Sequence, residues 1–209
     1  MVWESDNLTE WSNQRMVKVG TDDLVCAWAP ECIWDEKTQD YFVYWSSRTK
    51  KDGCAKQRIY SSHTKDFVSF TEPKIYIERD FSVIDTSIIQ VEDKYYRLTK
   101  NHDETSIYLE VSNDPEGEFT EIESFSVKGV TGYEGPTAYK RNNEEKWCVL
   151  LDAFASDGGY IPFLCDDLST GRLTPQEGME MPDLFRHGTV MPITEEEYNR
   201  LVEKYGVQD

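Results

Sequence analysis

The most regular feature of the chain is a set of strand-like runs rich in aromatic and β-branched residues, with polar turn residues between them. Three such runs span residues 40–47 (DYFVYWSS), 93–100 (DKYYRLTK) and 145–154 (EKWCVLLDAF). Tyr, Trp, Phe and Val fit a pleated, half-buried surface, so each run predicts a β-strand. Turn residues such as Lys51-Asp52-Gly53 separate the strands.

Each run is preceded by a short apolar motif with a charged residue, and a fourth such motif follows the last run. The motifs are WAPE with Glu31, VIDTSI with Asp85, YEGPT with Glu134 and FRHGTV with His187. The four polar residues are separated by 54, 49 and 53 positions. Nearly equal spacing of this size indicates a repeat architecture. The pattern predicts one polar side chain per unit at an equivalent position around an axis.

A third landmark follows each run and completes the repeating unit. Residues 61–70, 111–119 and 164–173 each indicate a strand, a polar turn and an apolar anchor. One unit is therefore about four short strands in about 50 residues, which is typical of a β-propeller blade. The alternative is a β-sandwich with accidental spacing, but three landmarks stay in phase. We expect the innermost strands at residues 28–33, 83–89, 133–139 and 185–191.

The two ends of the chain do not match whole units. Residues 1–20 match the outer strands of a partial blade, residues 27–184 form three blades, and residues 185–209 give a closing inner strand and a helix. Thr194 and Glu197 predict a capping box that opens a short helix ending near Tyr205. The sequence thus predicts one all-β propeller domain without its first inner strands. Its open blade edges favour self-association.

Composition and net charge argue against several classes of partner and site. The net charge of −18 argues against nucleic acid or an anionic membrane surface as a partner. No stretch approaches the ~18 apolar residues that a membrane span needs. The five cysteines are odd in number and lack zinc-site spacing, which makes a zinc site improbable. No signal peptide is visible at Met1, but a chain without its N-terminal strands could not show one, so localisation is left open and the cytoplasm is favoured over secretion.

The ordered set of motifs resembles glycoside hydrolase family 43. The resemblance rests on Trp28-Ala29-Pro30-Glu31, Ile84-Asp85, Glu134-Gly135-Pro136 and Arg186-His187-Gly188. It implies a five-bladed β-propeller that hydrolyses arabinose- or xylose-containing polysaccharides or oligosaccharides with inversion. It implies no required cofactor, although a structural calcium is possible at the centre.

The resemblance also implies roles for individual residues. Glu134 would be the general acid, and Asp85 would orient it and modulate its pKa. His187 would lie at the central cavity, near a bound calcium or ordered water. Substrate contacts are expected from Trp28, Glu31, Tyr133 and Arg186. For Trp28 and Tyr133 the alternative is packing within a blade, and for Glu31 it is a structural hydrogen bond to neighbouring backbone.

The general base that the chemistry requires has no candidate residue at an equivalent position of the repeat. Inverting hydrolysis needs a base roughly 6.5–9.5 Å from the acid, and family 43 supplies it from an Asp-Pro motif in the first blade. The Asp-Pro of this chain, Asp114-Pro115, lies in an outer turn of a later blade and is not assigned as the base. We therefore expect negligible turnover by this chain alone. A sugar-binding propeller and a protein-binding scaffold propeller remain alternatives.

Overall fold

A computed structural model describes residues 1–179, 181 and 185–206. Its strands are β1 (Val2–Glu4), β2 (Ser12–Arg15), β3 (Trp28–Asp35), β4 (Asp40–Ser47), β5 (Arg58–Thr64), β6 (Lys74–Ile77), β7 (Val83–Val91), β8 (Lys94–Asn101), β9 (Ser106–Ser112), β10 (Thr120–Glu121), β11 (Glu134–Lys140), β12 (Trp147–Asp152), β13 (Tyr160–Cys165) and β14 (Thr174–Pro175). One α-helix, α1, spans Glu195–Tyr205, and short 3₁₀ turns lie at Lys50–Asp52, Phe154–Ser156 and Leu168–Thr170.

The strands form three antiparallel four-stranded sheets, each from consecutive strands. The sheets are β3–β4–β5–β6, β7–β8–β9–β10 and β11–β12–β13–β14, and β1 pairs with β2 in a separate two-stranded sheet. The predicted all-β class and the four-stranded unit of about 50 residues are confirmed. Three of the predicted inner strands are confirmed as the first strands of the sheets, β3, β7 and β11.

The aromatic runs are buried on both faces, which explains why they do not alternate between apolar and polar residues. In β4, Phe42 and Tyr44 pack into a core shared with β5, β6 and β7, whereas Val43 and Trp45 pack into a different cluster on the opposite face. Successive side chains of a strand point to opposite faces. A sheet covered on both sides therefore needs apolar residues at both phases.

Each inner strand begins with the same irregularity. The register shifts between Trp28 and Glu31 in β3, between Ile84 and Ser87 in β7, and between Glu134 and Thr137 in β11. Within each shift one residue has a positive φ: Ala29 at 43°, Asp85 at 49° and Gly135 at 49°. These are β-bulges, which add a residue and re-aim the side chains beside them.

The bulges show which motif residues occupy equivalent backbone positions, and these differ from the predicted ones. The equivalent backbone positions are 29, 85 and 135, so Glu31 lies two residues after its equivalent position and Glu134 one residue before it. The prediction that the polar residues occupy equivalent places was wrong for Glu31 and Glu134. They nevertheless lie near Asp85 because a bulge changes the direction of the residues on either side of it.

The prediction of a fourth inner strand at residues 185–191 is also wrong. These residues have no regular secondary structure. The amide of Gly188 donates to the hydroxyl of Tyr160 at 2.8 Å rather than to a neighbouring strand. The end of the third predicted blade, residues 182–184, lies outside the described residues.

The predicted capping box of α1 is confirmed. The Thr194 hydroxyl accepts from the Glu197 amide at 3.2 Å, and the Glu197 carboxylate accepts from the Thr194 amide at 2.8 Å. The helix contacts the N-terminal segment, since Arg200 donates to the carbonyl of Asn7 and Tyr205 donates to that of Thr9. Among the described residues, no helix is both long and apolar enough to cross a membrane.

The Asp-Pro turn of the second sheet fastens that sheet to the first. Lys37 contacts Asp114 at 3.0 Å, and the Tyr76 hydroxyl donates to the Pro115 carbonyl at 2.6 Å. His63 lies between the carboxylates of Asp40 and Glu116, at 2.8 and 3.0 Å. The turn is therefore structural, in agreement with its omission from the predicted site.

Candidate active site

The bulged ends of β3, β7 and β11 meet the irregular segment 187–189 around a cavity of about 180 Å³. Its lining is contributed mainly by the four motifs: Ala29, Pro30, Glu31, Asp85, Thr86, Gly135, Pro136, Tyr160, His187, Gly188 and Thr189. The motifs, far apart in the chain, thus come together in one concave site.

Three of the predicted site residues converge beside this cavity. A carboxylate oxygen of Asp85, one of Glu134 and a ring nitrogen of His187 all lie within 4.8 Å of one another. His187 Nε2 is 3.6 Å from Asp85 Oδ2 and 3.5 Å from Glu134 Oε1. The contact with Asp85 is the main reason that the pKa of His187 is raised above its ordinary value.

The local backbone explains how Asp85 and His187 reach each other. Asp85 has a left-handed backbone, φ 49°, a conformation that a short polar residue tolerates better than most. Its carboxylate accepts a hydrogen bond from the amide of Gly135 at 3.2 Å. A Cβ at Gly135 would lie 2.1 Å from the His187 ring. The glycine of the YEGPT motif therefore makes room for the histidine of the FRHGTV motif.

Two cations bind Glu134. Lys100 Nζ lies 2.7 Å from Oε2, and a terminal nitrogen of Arg186 lies 3.2 Å from Oε1. The Lys100 side chain is only 2% exposed, and its ammonium lies 4.4 Å from the centre of the Phe154 ring. Each carboxylate oxygen of Glu134 thus has its own positively charged partner, which fixes the orientation of the group.

A fourth carboxylate, that of Asp152, lies behind the site. It is fully buried, and its Oδ2 lies 2.8 Å from Arg186 Nε and 3.4 Å from His187 Nδ1. Asp152 ends β12 and pairs directly with Glu134 across the sheet. The residues Glu134, Arg186, His187 and Asp152 therefore form one connected network of charges.

Glu31 lies on the opposite wall of the cavity. Its carboxylate accepts from the Tyr44 hydroxyl and from the Thr189 hydroxyl, both at 3.2 Å. Burial raises the pKa of Glu31 to about 7, although hydrogen bonds from Ser87, Thr189 and Tyr44 oppose the rise. Glu31 also joins segment 187–189 to β3, so that the segment bridges β11 and β3.

Of the four predicted substrate contacts, Glu31 lines the cavity, whereas Trp28, Tyr133 and Arg186 are not among the described lining residues. The ring of Tyr133 packs edge-on against Phe163, with centroids 6.1 Å apart, and belongs to the core between the second and third sheets. Trp28 is half exposed at the start of β3. Neither is among the described residues that line the cavity, and for Tyr133 the geometry favours blade packing.

Sequence reasoning missed Lys100 and Asp152, although a signal was present. Each is the second-strand residue opposite the start of a bulge: Ser46 faces Trp28, Lys100 faces Ile84 and Asp152 faces Glu134. These residues are separated by 54 and 52 positions, which is the repeat length itself. Aligning the second strands as well as the motifs would have marked both residues as equivalent positions, although their contacts in the site depend on packing.

The donor set does not fit a calcium ion. Calcium prefers six to eight oxygen ligands, whereas Asp85, Glu134 and His187 supply two carboxylates and a nitrogen. Lys100 and Arg186 already occupy both oxygens of Glu134. A divalent cation here would be repelled by two positive side chains, so no step of the reaction is assigned to a metal.

The fold and the site together define a class of protein. Consecutive four-stranded sheets carry paired carboxylates from neighbouring inner strands to a shared cavity, an arrangement that suits a glycosidase. Residues 1–199 match the family model described as a probable glycosyl hydrolase domain, related to glycoside hydrolase family 43. The chain therefore belongs to this glycoside hydrolase family, and the predicted resemblance is confirmed.

Individual relatives agree with this assignment. An α-L-arabinofuranosidase of Bifidobacterium longum subsp. longum is 25% identical over 197 residues, covering 77% of this chain and 18% of the relative. A thermostable family-43 glycoside hydrolase has a TM-score of 0.61 at 19% identity, over 85% of this chain and 64% of that one. An exo-β-1,3-galactanase of Phanerochaete chrysosporium, solved with β-1,3-galactotriose, has a TM-score of 0.61 at 17% identity, over 83% and 42%.

The chain spans less than two thirds of each of these relatives, and less than a fifth of the arabinofuranosidase. The structural similarities below 25% identity establish the shared fold.

Proposed function

We propose that the cavity binds one sugar unit of a glycan and that Glu134 protonates the leaving oxygen of its glycosidic bond. The observation that supports this is the convergence of Asp85, Glu134 and His187 within 4.8 Å beside a cavity lined by the family motifs. General acid catalysis of this kind contributes roughly 10²–10⁴ in rate.

The distance between the carboxylates supports a division of roles. An inverting acid and base stand about 6.5–9.5 Å apart to admit a water molecule, and Asp85 is closer than that to Glu134. Asp85 is also held by the Gly135 amide and by His187. We therefore assign Asp85 to orienting Glu134 and His187, not to activating water.

The cations on Glu134 suggest how the substrate engages it. Lys100 is buried, whereas the Arg186 side chain is 42% exposed and makes the longer contact. A glycosidic oxygen that approaches Oε1 would displace Arg186, which then becomes free to donate to a sugar hydroxyl. In this proposal, Arg186 binds the substrate through a sugar hydroxyl near the leaving oxygen.

We also propose that the three sheets are blades of a five-bladed propeller. The support is the sequential order of the sheets and the contact of β7 with both β3 and β11. Segment 187–189 occupies the space between β11 and β3, through contacts with Gly135 and Glu31. The cavity then lies at the axis, where one residue from each blade is available.

No described residue is assigned as the general base. The carboxylates that line the cavity are those of Glu31 and Asp85. Asp85 is too close to Glu134, and Glu31 is held by Tyr44 and Thr189. We therefore expect slow hydrolysis by the chain and acceleration by azide. The azide nitrogen bonds to the anomeric carbon as the carbon–oxygen bond breaks, and the leaving oxygen takes the proton of Glu134.

The proposed substrates are α-L-arabinofuranosides, as the name of the Bifidobacterium relative suggests. The decisive experiment uses arabino-oligosaccharides, xylo-oligosaccharides and β-1,3-galacto-oligosaccharides, each with and without azide. We expect azide-dependent cleavage of the arabinoside, with inverted glycosyl azide as the product. The variant Glu134→Gln should lose on the order of 10²-fold or more in rate.

Two results would overturn the proposal. An unchanged rate in Glu134→Gln would remove Glu134 as the acid, and a retained anomeric configuration would make Asp85 a nucleophile. Tight sugar binding in calorimetry without any Glu134-dependent cleavage would instead establish the alternative function, a non-catalytic carbohydrate-binding protein.

A further inference from the structure

Asp152 is a buried charged residue that does not line the cavity. It stands at the end of β12, paired with Glu134 on one side and with Tyr160 on the other. Its side chain is fully buried. A charge removed from water in this way is costly unless positive partners compensate it.

Both of its partners come from the irregular segment. Asp152 Oδ2 accepts from Arg186 Nε at 2.8 Å and lies 3.4 Å from His187 Nδ1. The same two residues reach forward to Glu134, at 3.2 and 3.5 Å, and His187 also reaches Asp85. One buried carboxylate thus contacts two of the side chains that touch the proposed acid, and Lys100 is a third.

The backbone hydrogen bonds of the segment lie on either side of residues 186 and 187, and the Phe185 carbonyl accepts from the Tyr160 amide at 3.2 Å. Residues 185–191 form no strand, and the amide of Gly188 is satisfied by the hydroxyl of Tyr160. A side chain on irregular backbone is placed accurately only if a rigid element holds it. Here the rigid element is the third sheet, through Asp152 for residues 186 and 187 and through Tyr160 for residue 188.

We infer that Asp152 is a positioning residue that holds Arg186 and His187 against Glu134 and Asp85. The inference rests on the proposed function for its effect on the reaction, but its structural part does not. The charged groups facing His187 are Asp85 from β7, Glu134 from β11 and Asp152 from β12, with Arg186 beside it on its own segment.

The first test is Asp152→Asn, which keeps the side-chain shape and removes the charge. Its matched control is Asp35→Asn, a second buried aspartate, whose carboxylate accepts from the Lys37 amide alone among the described residues and which ends β3 away from the cavity. We expect the maximal azide-assisted rate to fall by about 10- to 100-fold in Asp152→Asn, since small misplacements of reacting groups have effects of this size. KM should change by a smaller factor than the rate, since Asp152 acts on the substrate only through Arg186.

The second test does not require activity. His187 is one of three histidines, and its NMR signal is assigned by its loss in His187→Gln. The pKa of His187 should fall in Asp152→Asn and stay unchanged in Asp35→Asn, because only the first variant removes a negatively charged carboxylate next to the ring. This measurement remains valid if no substrate is cleaved, which separates failure of the proposed function from failure of this inference.

Arg186→Gln tests the same contact from its exposed side if Asp152→Asn does not fold. If Asp152→Asn does fold, the two single variants and the double variant form a cycle, in which we expect the losses to be strongly non-additive. A rate and a His187 pKa that equal the wild-type values in Asp152→Asn would overturn the inference. So would fully additive losses in the cycle.

Discussion

At the scale of single residues, the site depends on a glycine that leaves room for the histidine ring and on a tyrosine hydroxyl that joins two backbone segments. Gly135 has no side chain where the His187 ring lies, and its amide holds Asp85. Tyr160 fills a similar role on the other side, with its hydroxyl between the backbones of Gly135 and Gly188. Small and neutral neighbours therefore help to set the positions of the charged groups.

Gly135→Ala should both strain the backbone and displace His187. The positive φ of 49° makes any side chain unfavourable there, by roughly 1 kcal/mol, and the new methyl group would overlap the ring. Gly53→Ala is the control, since Gly53 also has a positive φ but open space around its Cβ position. We expect urea unfolding to show a clearly larger loss of stability for Gly135→Ala. Equal losses would mean that His187 moves away without cost.

Glu31 should make the protein less stable as the pH rises from about 4.5 to 7. Its folded-state pKa is raised from 4.5 to about 7 by burial, so in that range the folded protein holds a proton that the unfolded chain has released. The loss of stability is complete above pH 7 and amounts to about 3 kcal/mol at most. Urea unfolding from pH 4 to 8 should show this decline in the wild type relative to Glu31→Gln. Parallel curves for the two proteins would contradict it.

At the scale of elements, neighbouring sheets are joined by polar contacts between otherwise apolar faces. Tyr44 in β4 donates to Glu31 in β3 and accepts from the amide of Ile88 in β7 at 3.1 Å. Lys100 in β8 reaches Glu134 in β11 across the next seam. Apolar packing allows one sheet to slide along another, whereas these directional bonds fix the register in which the motifs meet.

Tyr44→Phe should therefore cost about 1–3 kcal/mol, because it leaves the buried Ile88 amide without an acceptor. The matched control is Tyr108→Phe, since the buried hydroxyl of Tyr108 bonds to no backbone group in the described part of the chain. We expect the control to be nearly neutral. Thermal and urea unfolding measure both variants, and similar losses would show that the Tyr44 hydroxyl bonds do not hold the seam.

At the scale of the whole molecule, charge and exposed apolar surface act in opposite directions. The chain carries a net charge of −18, which keeps copies apart. Meanwhile Trp3, Trp11 and Trp28 are about half exposed, and the strands β1 and β2 pair only with each other among the described residues. Unpaired edges of this kind favour association.

We therefore expect self-association that grows with salt. Screening shortens the range of charge repulsion from about 10 Å at 0.1 M to about 3 Å at 1 M. Size-exclusion chromatography with light scattering should show a rising mass over this range, and Trp3→Lys, which places a charge on β1, should reduce it. A clean monomer with a sharp melt at every salt concentration would contradict the open-edge interpretation. It would favour a compact molecule in which α1 covers the N-terminal segment.

Local signals in the sequence determined the repeat, its four-stranded unit, the three inner strands and the capped helix, because each depends on residue type and spacing within one unit. The ordered motifs, through their resemblance to family 43, also placed Asp85, Glu134 and His187 in one site, although the expected equivalence of position was wrong for Glu134. Tertiary structure alone decided the bulges that shift Glu31 and Glu134 out of phase, and the irregular path of residues 185–191. It also decided that Lys100, Asp152 and Tyr160 hold the site. Their partners belong to other strands or sheets, and a side chain's contacts across a seam depend on how the sheets pack.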